Sequence, residues 1–239
     1  MIARLSLLEL ADLYLQSLFL FDHRGRCRAV NEPGEPRPPR LTVTRTTEGT
    51  RWATRDDVPD AIAKRIDALI GDGPAHEDLE ARPPYTAAVR EALGEHAPVA
   101  DEGSGPCFAI ESLGPQPAGP VVRIEGAERD LLAGFPGWDL QDATELDESQ
   151  PCFGVVDGDR AASICFSSRR PLAAVEAGVE TLDGHRRRGY ATRVVYAWAA
   201  ELLRQGRVPL YSTSWDNAAS RAVASRLRMR FYGASWSLV

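Results

Sequence analysis

The chain has 239 residues, 44% of them hydrophobic and 26% charged, and a formal net charge of −6. That balance is ordinary for a globular protein and excludes general nucleic-acid binding, which needs a basic face. The length suits one large domain or two small ones. The cations are nearly all arginine, with Lys64 the only lysine. The four cysteines, Cys27, Cys107, Cys152 and Cys165, are widely spaced and form no CxxC pair. Reduced, buried thiols in a cytoplasmic protein are expected, with no metal site and no disulfide framework.

In chain order, Leu5–Phe21 is apolar enough to suggest a signal or membrane segment. Glu9, Asp12 and Gln16 interrupt it and no basic leader precedes it, so a buried amphipathic helix over Ser6–Ser17 is expected. Ser6 and Glu9 have the spacing of a capping box. Cys27–Val30 reads as a strand and the proline-rich Asn31–Arg40 as a surface loop. Leu41–Thr46 and Thr50–Thr54 make a hairpin around Glu48-Gly49. Asp56 or Asp57 can cap a helix that carries Pro59 in its first turn and ends at Gly71. A polar linker follows, then a helix over Tyr85–His96. The Gly- and acid-rich Pro98–Gly105 is the candidate boundary, giving an N-terminal α+β region at 1–104 and a second domain at 105–239.

Beyond it, Cys107–Ile110 and Val121–Ile124 read as short strands and Gly126–Ala133 as a brief helix. Five carboxylates crowd the segment Asp139–Glu148. A solvated loop and a surface for a cationic substrate are both open there. Three strands follow, Cys152–Val156, Ala161–Ser167 and Leu172–Leu182, with Asp157-Gly158-Asp159 and Ser168–Pro171 as turns. A helix over Gly189–Arg204 is capped by Gly206. A strand at Pro209–Trp215, a helix at Asn217–Arg228 and a strand within Met229–Leu238 complete the pattern.

The chemistry concentrates in Ala173–Ala191, where an apolar strand runs through a polar turn and three arginines into a helix. First-turn N–H groups of a helix lack internal partners and carry partial positive charge, and arginines beside them fork onto phosphate oxygens. This junction is suited to a phosphorylated ligand.

Arg186-Arg187-Arg188-Gly189-Tyr190-Ala191 is similar to the Gln/Arg-x-x-Gly-x-Gly/Ala pattern of the GNAT superfamily of acyl-CoA-dependent N-acyltransferases. The resemblance runs from about Cys152 to the C-terminus and includes Trp215-Asp216-Asn217 at the start of the next helix. It implies a mixed central sheet flanked by helices, in the α/β (α+β) class, and acetyl-CoA as acyl-donor cosubstrate. It also implies that backbone groups of Val179 and Thr181 pair with the pantetheine, and that N–H groups of Arg188–Thr192, Gly189, Tyr190 and Ala191 among them, cradle the pyrophosphate. Arg186, Arg187 and Arg188 would supply countercharge, and Asn217 and Ser220 would approach the pantetheine near the thioester.

Two family features are missing. The tyrosine that often protonates the departing thiolate falls on Ala224, and the glycine that ends this helix falls on Arg228. Ser220, Ser212, Ser214 or Tyr211 could take over the acid's part, or positioning alone could suffice. For a base, Glu176 and Glu180 lie on one face of their strand, opposite Val179 and Thr181. A salt-bridged or solvated carboxylate is the competing reading for each.

The resemblance thus implies an N-acetyltransferase in which a primary amine attacks the thioester directly in a ternary complex. A non-catalytic acyl-CoA-binding or regulatory module, favoured by Ala224, is the alternative, and a structural protein whose arginines hold another anion is a third. A small-molecule amine is the expected acceptor, with the N-terminal region helping to form its site. No nucleic acid or membrane partner is expected, and a homodimer is compatible with the sequence.

Overall fold

The computed structural model describes residues 4–32, 37–71, 78–142, 144–169 and 172–239. Pro33 and Pro36 of the proline-rich loop, part of the linker after Gly71 and part of the turn at Ser168–Pro171 lie outside these. The chain divides into two compact units, and neither is one continuous stretch. Residues 5–108, 212–217 and 231–239 form the N-terminal unit. Residues 109–211 and 218–230 form the C-terminal unit.

The N-terminal unit opens with helix α1 (Leu7–Leu18). Its capping box is present: Ser6 Oγ accepts from Glu9 N–H at 3.1 Å, and Glu9 accepts from Ser6 N–H at 2.7 Å. Strands β1 (Phe19–Phe21) and β2 (Cys27–Val30) pair antiparallel. The expected hairpin forms from β3 (Leu41–Thr46) and β4 (Gly49–Thr54), with Val43 opposite Trp52.

Helix α2 (Asp60–Gly71) starts later than the Asp56 or Asp57 cap implied. The carboxylate of Asp57 is held instead by Arg55, at 2.7 Å, and by Arg37, so it is not available to a helix N-terminus. Helix α3 (Thr86–Gly94) follows. Strand β5 (Glu102–Ala109) then occupies much of the stretch read as a boundary linker. Its start is pinned by side chains, because Glu102 accepts from Trp236 Nε1 at 2.9 Å and from Arg90 at 3.0 Å.

In the C-terminal unit, β6 (Val122–Arg123) and a 3-10 turn over Gly126–Leu132 lead to the short helix α4 (Thr144–Glu148). Strands β7 (Phe153–Asp157), β8 (Arg160–Ser167) and β9 (Ala174–Thr181) form an antiparallel meander. Helix α5 (Tyr190–Arg204) returns the chain to β10 (Val208–Ser212), which lies parallel to β9. Such a β-helix-β crossover is what a parallel neighbour requires. Helix α6 (Ala218–Arg226) completes this unit. Strand order is β10-β9-β8-β7-β6. β10 stops at Ser212, short of the strand expected to reach Trp215, and Ser212–Asn217 belong to the N-terminal unit.

The last strand, β11 (Arg230–Leu238), gives the N-terminal unit the order β4-β3-β11-β5. Its core gathers Leu41, Val43, Ile66, Val89, Leu93, Trp236 and Leu238. The C-terminal unit has its own core around Ile124, Leu132, Leu146 and Ile164. α5 turns Val194, Val195, Trp198, Ala199 and Leu202 inward, as its helical spacing dictates.

The Asn31–Arg40 segment departs from the surface loop expected, since both of its ends are buried, Arg40 at 2% exposure. The Arg40 guanidinium donates to the carbonyls of Leu93, Ala97, Pro98 and Val239 at 2.7–3.2 Å. A buried guanidinium is tolerable only when its donors find acceptors in this way, two of these carbonyls lying at or just past the end of α3.

Candidate functional site

Register places the backbone of β9. Ser168 N–H bonds Glu176 C=O, and Leu182 N–H bonds Ala162 C=O. In an antiparallel pair these narrow pairs recur every second residue. Glu176, Gly178, Glu180 and Leu182 therefore direct their amide groups at β8, and Ala177, Val179 and Thr181 direct theirs the other way.

On that other side, β10 pairs with β9 only as far as Leu210 opposite Glu176. Past that point no described strand of the C-terminal unit covers the edge. Val179 and Thr181 thus present N–H and C=O groups to an uncovered edge, which is the arrangement an extended amide chain can join.

Side chains of the same strand alternate. Thr181 faces Ser163, with hydroxyl oxygens 2.7 Å apart, on the face that α5 covers. Trp198 of α5 donates to Ser167 on that face at 3.3 Å. Glu176 and Glu180 lie on the opposite face. Between them the ring of Phe166 fills the space over Gly178, where a Cβ would meet it at 2.4 Å. Trp138 packs edge-on against Phe166 at 5.0 Å. In this apolar setting burial raises the Glu180 carboxyl above its ordinary value. Glu176 is 5% exposed and stands opposite Leu210 at the last paired position.

The chain leaves β9 through a 3-10 turn at Asp183–His185 and passes Arg186, Arg187 and Arg188 before α5. Arg187 and Gly189 both adopt left-handed backbone, at φ 63° and 77°. Gly189 has open space where a Cβ would sit, so its φ rather than crowding makes glycine the suited residue. It is the N-cap of α5 and supplies no side-chain acceptor, which leaves the first-turn N–H groups facing outward.

Arg186 pairs with Asp183 at 2.8 Å, and Arg188 with Asp157 at 3.5 Å. Asp157 also lies 3.2 Å from His185 Nδ1. Arg187 forms no ion pair among the described residues. The sequence reading missed Asp157, read only as part of a turn, and a stack beside the junction. His185 lies 6.4 Å from Tyr190 at 27°, and Arg193 sits 4.5 Å over the same ring. The His185, Tyr190 and Arg193 spacing was visible, but only the turn geometry makes them neighbours.

In α6, Ser220 Oγ lies 2.6 Å from the phenol oxygen of Tyr211 on β10. Tyr211 is buried, and its phenol is pushed up to about 12, chiefly by burial, with Cys165 and Glu176 adding to the effect. Ala224 is buried at 2% exposure and has no proton to give. Ser212 and Ser214 group with the N-terminal unit, where Tyr14 donates to Ser212 Oγ at 3.4 Å. Asn217 belongs to that unit too, its N–H bonded to Ser214 C=O at 3.2 Å. All four cysteines are buried and unpaired with one another. Burial raises Cys27 and Cys152 to about 12, far from the thiolate that a nucleophile needs.

In the acidic segment, Asp139 and Asp142 accept from local groups, Gln141 N–H at 2.7 Å and Thr144 N–H at 2.9 Å. These two carboxylates shape turns leading into α4. No helix among the described residues is long and apolar enough to cross a membrane.

A family model described as GNAT acetyltransferase matches residues 142–233. Among solved structures, a GCN5-related N-acetyltransferase from Kribbella flavida superposes with a TM-score of 0.51 at 18% identity, over 96% of this chain and 93% of that one. A GCN5-related N-acetyltransferase-like protein from Streptococcus suis gives 0.50 at 12% identity, over 84% and 85%. A GNAT-family structure from Novosphingobium aromaticivorans is 23% identical, with a TM-score of 0.47, over 59% of this chain and 65% of that chain. No curated protein matches the sequence.

Proposed function

From a C-terminal half that belongs to the GNAT superfamily, we propose that the protein is an acetyl-CoA-dependent N-acetyltransferase acting on a primary amine. One observation carries the reading. From residue 177 onward β9 has an edge that no described strand of its unit pairs with, and it runs directly into an arginine-flanked helix N-terminus. An extended pantetheine suits the edge and a pyrophosphate suits the junction.

In this reading Val179 and Thr181 pair with the pantetheine amides. The N–H groups of Arg188–Thr192 and the side chains of Arg186, Arg187 and Arg188 hold the phosphates. The amine nitrogen attacks the thioester carbonyl carbon, and the carbon–sulfur bond breaks toward sulfur. Glu180, lifted by its apolar surroundings, is the better placed of the two carboxylates to take the amine proton, with Glu176 behind it in the paired part of the strand. Buried cysteines favour direct transfer over an acyl-cysteine intermediate.

A small-molecule amine fits the reading best. Calorimetry with CoA, followed by free-thiol detection during incubation with acetyl-CoA and an amine panel, tests it. The reading falls if wild-type protein does not bind CoA. Ala224, which puts no acid where the family often has one, favours a second reading, a non-catalytic acyl-CoA-binding module. Clean CoA binding with no thiol release across the panel selects that one.

A further inference from the structure

We propose that the acceptor is an arylalkylamine, its ring held on Trp138 and Phe166 and its ammonium group on Glu180. For the chemistry this rests on the acetyltransferase reading above, while the binding stands on the face itself.

Strand parity puts the parts together. Phe166 stands opposite Gly178 and Ile164 opposite Glu180, so Phe166, Gly178 and Glu180 share the face of the β8–β9 pair turned away from α5. The Phe166 ring lies on Gly178, where a Cβ would meet three of its atoms at 2.4–2.9 Å. Glycine thus lets the ring down onto the strand. Trp138 meets that ring edge-on, with centroids 5.0 Å apart. Both rings are partly exposed, as are Leu140 and Leu182, and all four pack on the buried cluster that contains Ile164. The core of this unit reaches the surface here as an aromatic rim.

Glu180 supplies the charge. Its carboxylate has no hydrogen bond or ion pair among the described residues, and no cation offsets the burial that raises it. A half-buried carboxylate of this kind is best served by a cation that brings its own apolar cover. A bare ammonium would leave the rings in water, and an aromatic molecule without an amine would bury the carboxylate unpaired. Asp139 and Asp142, exposed just beyond Trp138, add to the attraction of a cation.

Spacing narrows the class. Residues two apart on a strand are separated by about 7 Å, so the ring seat at Gly178 and the carboxylate stem at Glu180 suit a linker of about two or three carbons. An amine borne directly on the ring is too short for both seats, and a polyamine or amino sugar brings no apolar group to the rings.

The test is calorimetry on the full chain, with and without saturating CoA, using phenethylamine, ethylamine, phenethyl alcohol and spermidine. Burying a phenyl group strengthens binding at least about tenfold, so phenethylamine should exceed ethylamine by that factor. Trp138→Ala should cost phenethylamine about tenfold and ethylamine less than about twofold, with CoA affinity unchanged, and Trp138→Phe should recover most of the loss. Glu180→Gln should weaken phenethylamine about tenfold and the alcohol less than about twofold. Thermal unfolding confirms that each variant is folded, and Phe166→Leu, which keeps an apolar side chain over Gly178, repeats the contrast from the other ring. Equal wild-type affinity for phenethylamine and ethylamine overturns the proposal, as does tighter binding of spermidine or an equal loss for amine and alcohol in Glu180→Gln. Thiol release with other amines but not with phenethylamine overturns it too and leaves the acetyltransferase reading standing. Wild-type protein that fails to bind CoA removes that reading instead, and the titrations without CoA still decide the amine site.

Discussion

Thr181 and Ser163 face each other across β9 and β8 with their hydroxyl oxygens 2.7 Å apart. They are a wide pair of the ladder, so the Thr181 amide is turned from β8, and Val179 two residues earlier shares that orientation. Glu180 between them is turned toward β8.

That alternation gives an unusual proline test. Val179→Pro removes an N–H that takes no part in the β8 ladder, and proline is tolerated at such edge positions. The variant should fold with a modest loss of stability yet bind CoA about five- to tenfold more weakly, the effect of one backbone hydrogen bond to ligand. Glu180→Pro, one residue on, removes a ladder bond and should be much less stable in thermal unfolding. Equal CoA affinity in Val179→Pro and wild type would mean the edge is not used.

Arg187 differs from its neighbours in having no carboxylate partner among the described residues, whereas Arg186 and Arg188 are paired. Arg187→Ala should weaken CoA about fivefold, the scale of an exposed charge pair, and leave binding of phosphate-free pantetheine unchanged. Calorimetry with the two ligands measures the difference. An equal loss for both would point to a disturbed turn.

Arg228 ends α6 in left-handed backbone, φ 51°, and is exposed. Met229 N–H closes the turn onto Ala224 C=O at 3.0 Å. A side chain costs about 1 kcal/mol there relative to glycine. Arg228→Gly should therefore raise stability by up to about 1 kcal/mol, less the extra entropy of an unfolded glycine. Chemical denaturation reads it as a higher midpoint.

Glu201 titrates at about 2, held down first by the hydrogen bonds from Arg204 and then by Gln205, with Arg123 also near. Arg204 reaches both its oxygens, at 2.7 and 2.8 Å. Because the folded value is depressed, this stabilisation is complete above about pH 4.5 and fades as pH falls toward 2. Arg204 is 72% exposed, so solvent screening limits the contribution to about 1 kcal/mol. Glu201→Gln should lose about that much at pH 7 and flatten the acid limb between pH 4.5 and 2, measured by urea unfolding across that range.

Much of the fold was legible because local chemistry decides it. The Ser6–Glu9 box, the β3–β4 hairpin and the long amphipathic α5 each follow from spacing within one segment. Elements that depend on distant partners were not legible. Asp57 looked like a helix cap until Arg37 and Arg55 claimed it. Arg40 looked like loop because its four carbonyl acceptors come from residues 53 to 199 positions away. Pro98–Gly105 resembled a linker because Glu102's partners Arg82, Arg90 and Trp236 lie outside its own strand.

The candidate site divides the same way. Gly189 and the arginines stand together in sequence, and parity alone separates Val179 and Thr181 from Glu176 and Glu180. Tyr211 and Ser220 are nine residues apart on a strand and a helix, and only the turn between them brings the two oxygens together. Arg228 shows that a left-handed position can be kept without glycine when the surrounding turn holds it.

Asp157 sits between His185 and Arg188 at the mouth of the α5 junction. With Asp183 on Arg186, most of the cationic cluster already carries its own internal counterions. An arriving phosphate there exchanges one anionic partner for another and displaces few mobile ions from solution. CoA affinity should accordingly fall with added salt less steeply than three bare arginines would dictate, with Arg187 setting most of the slope.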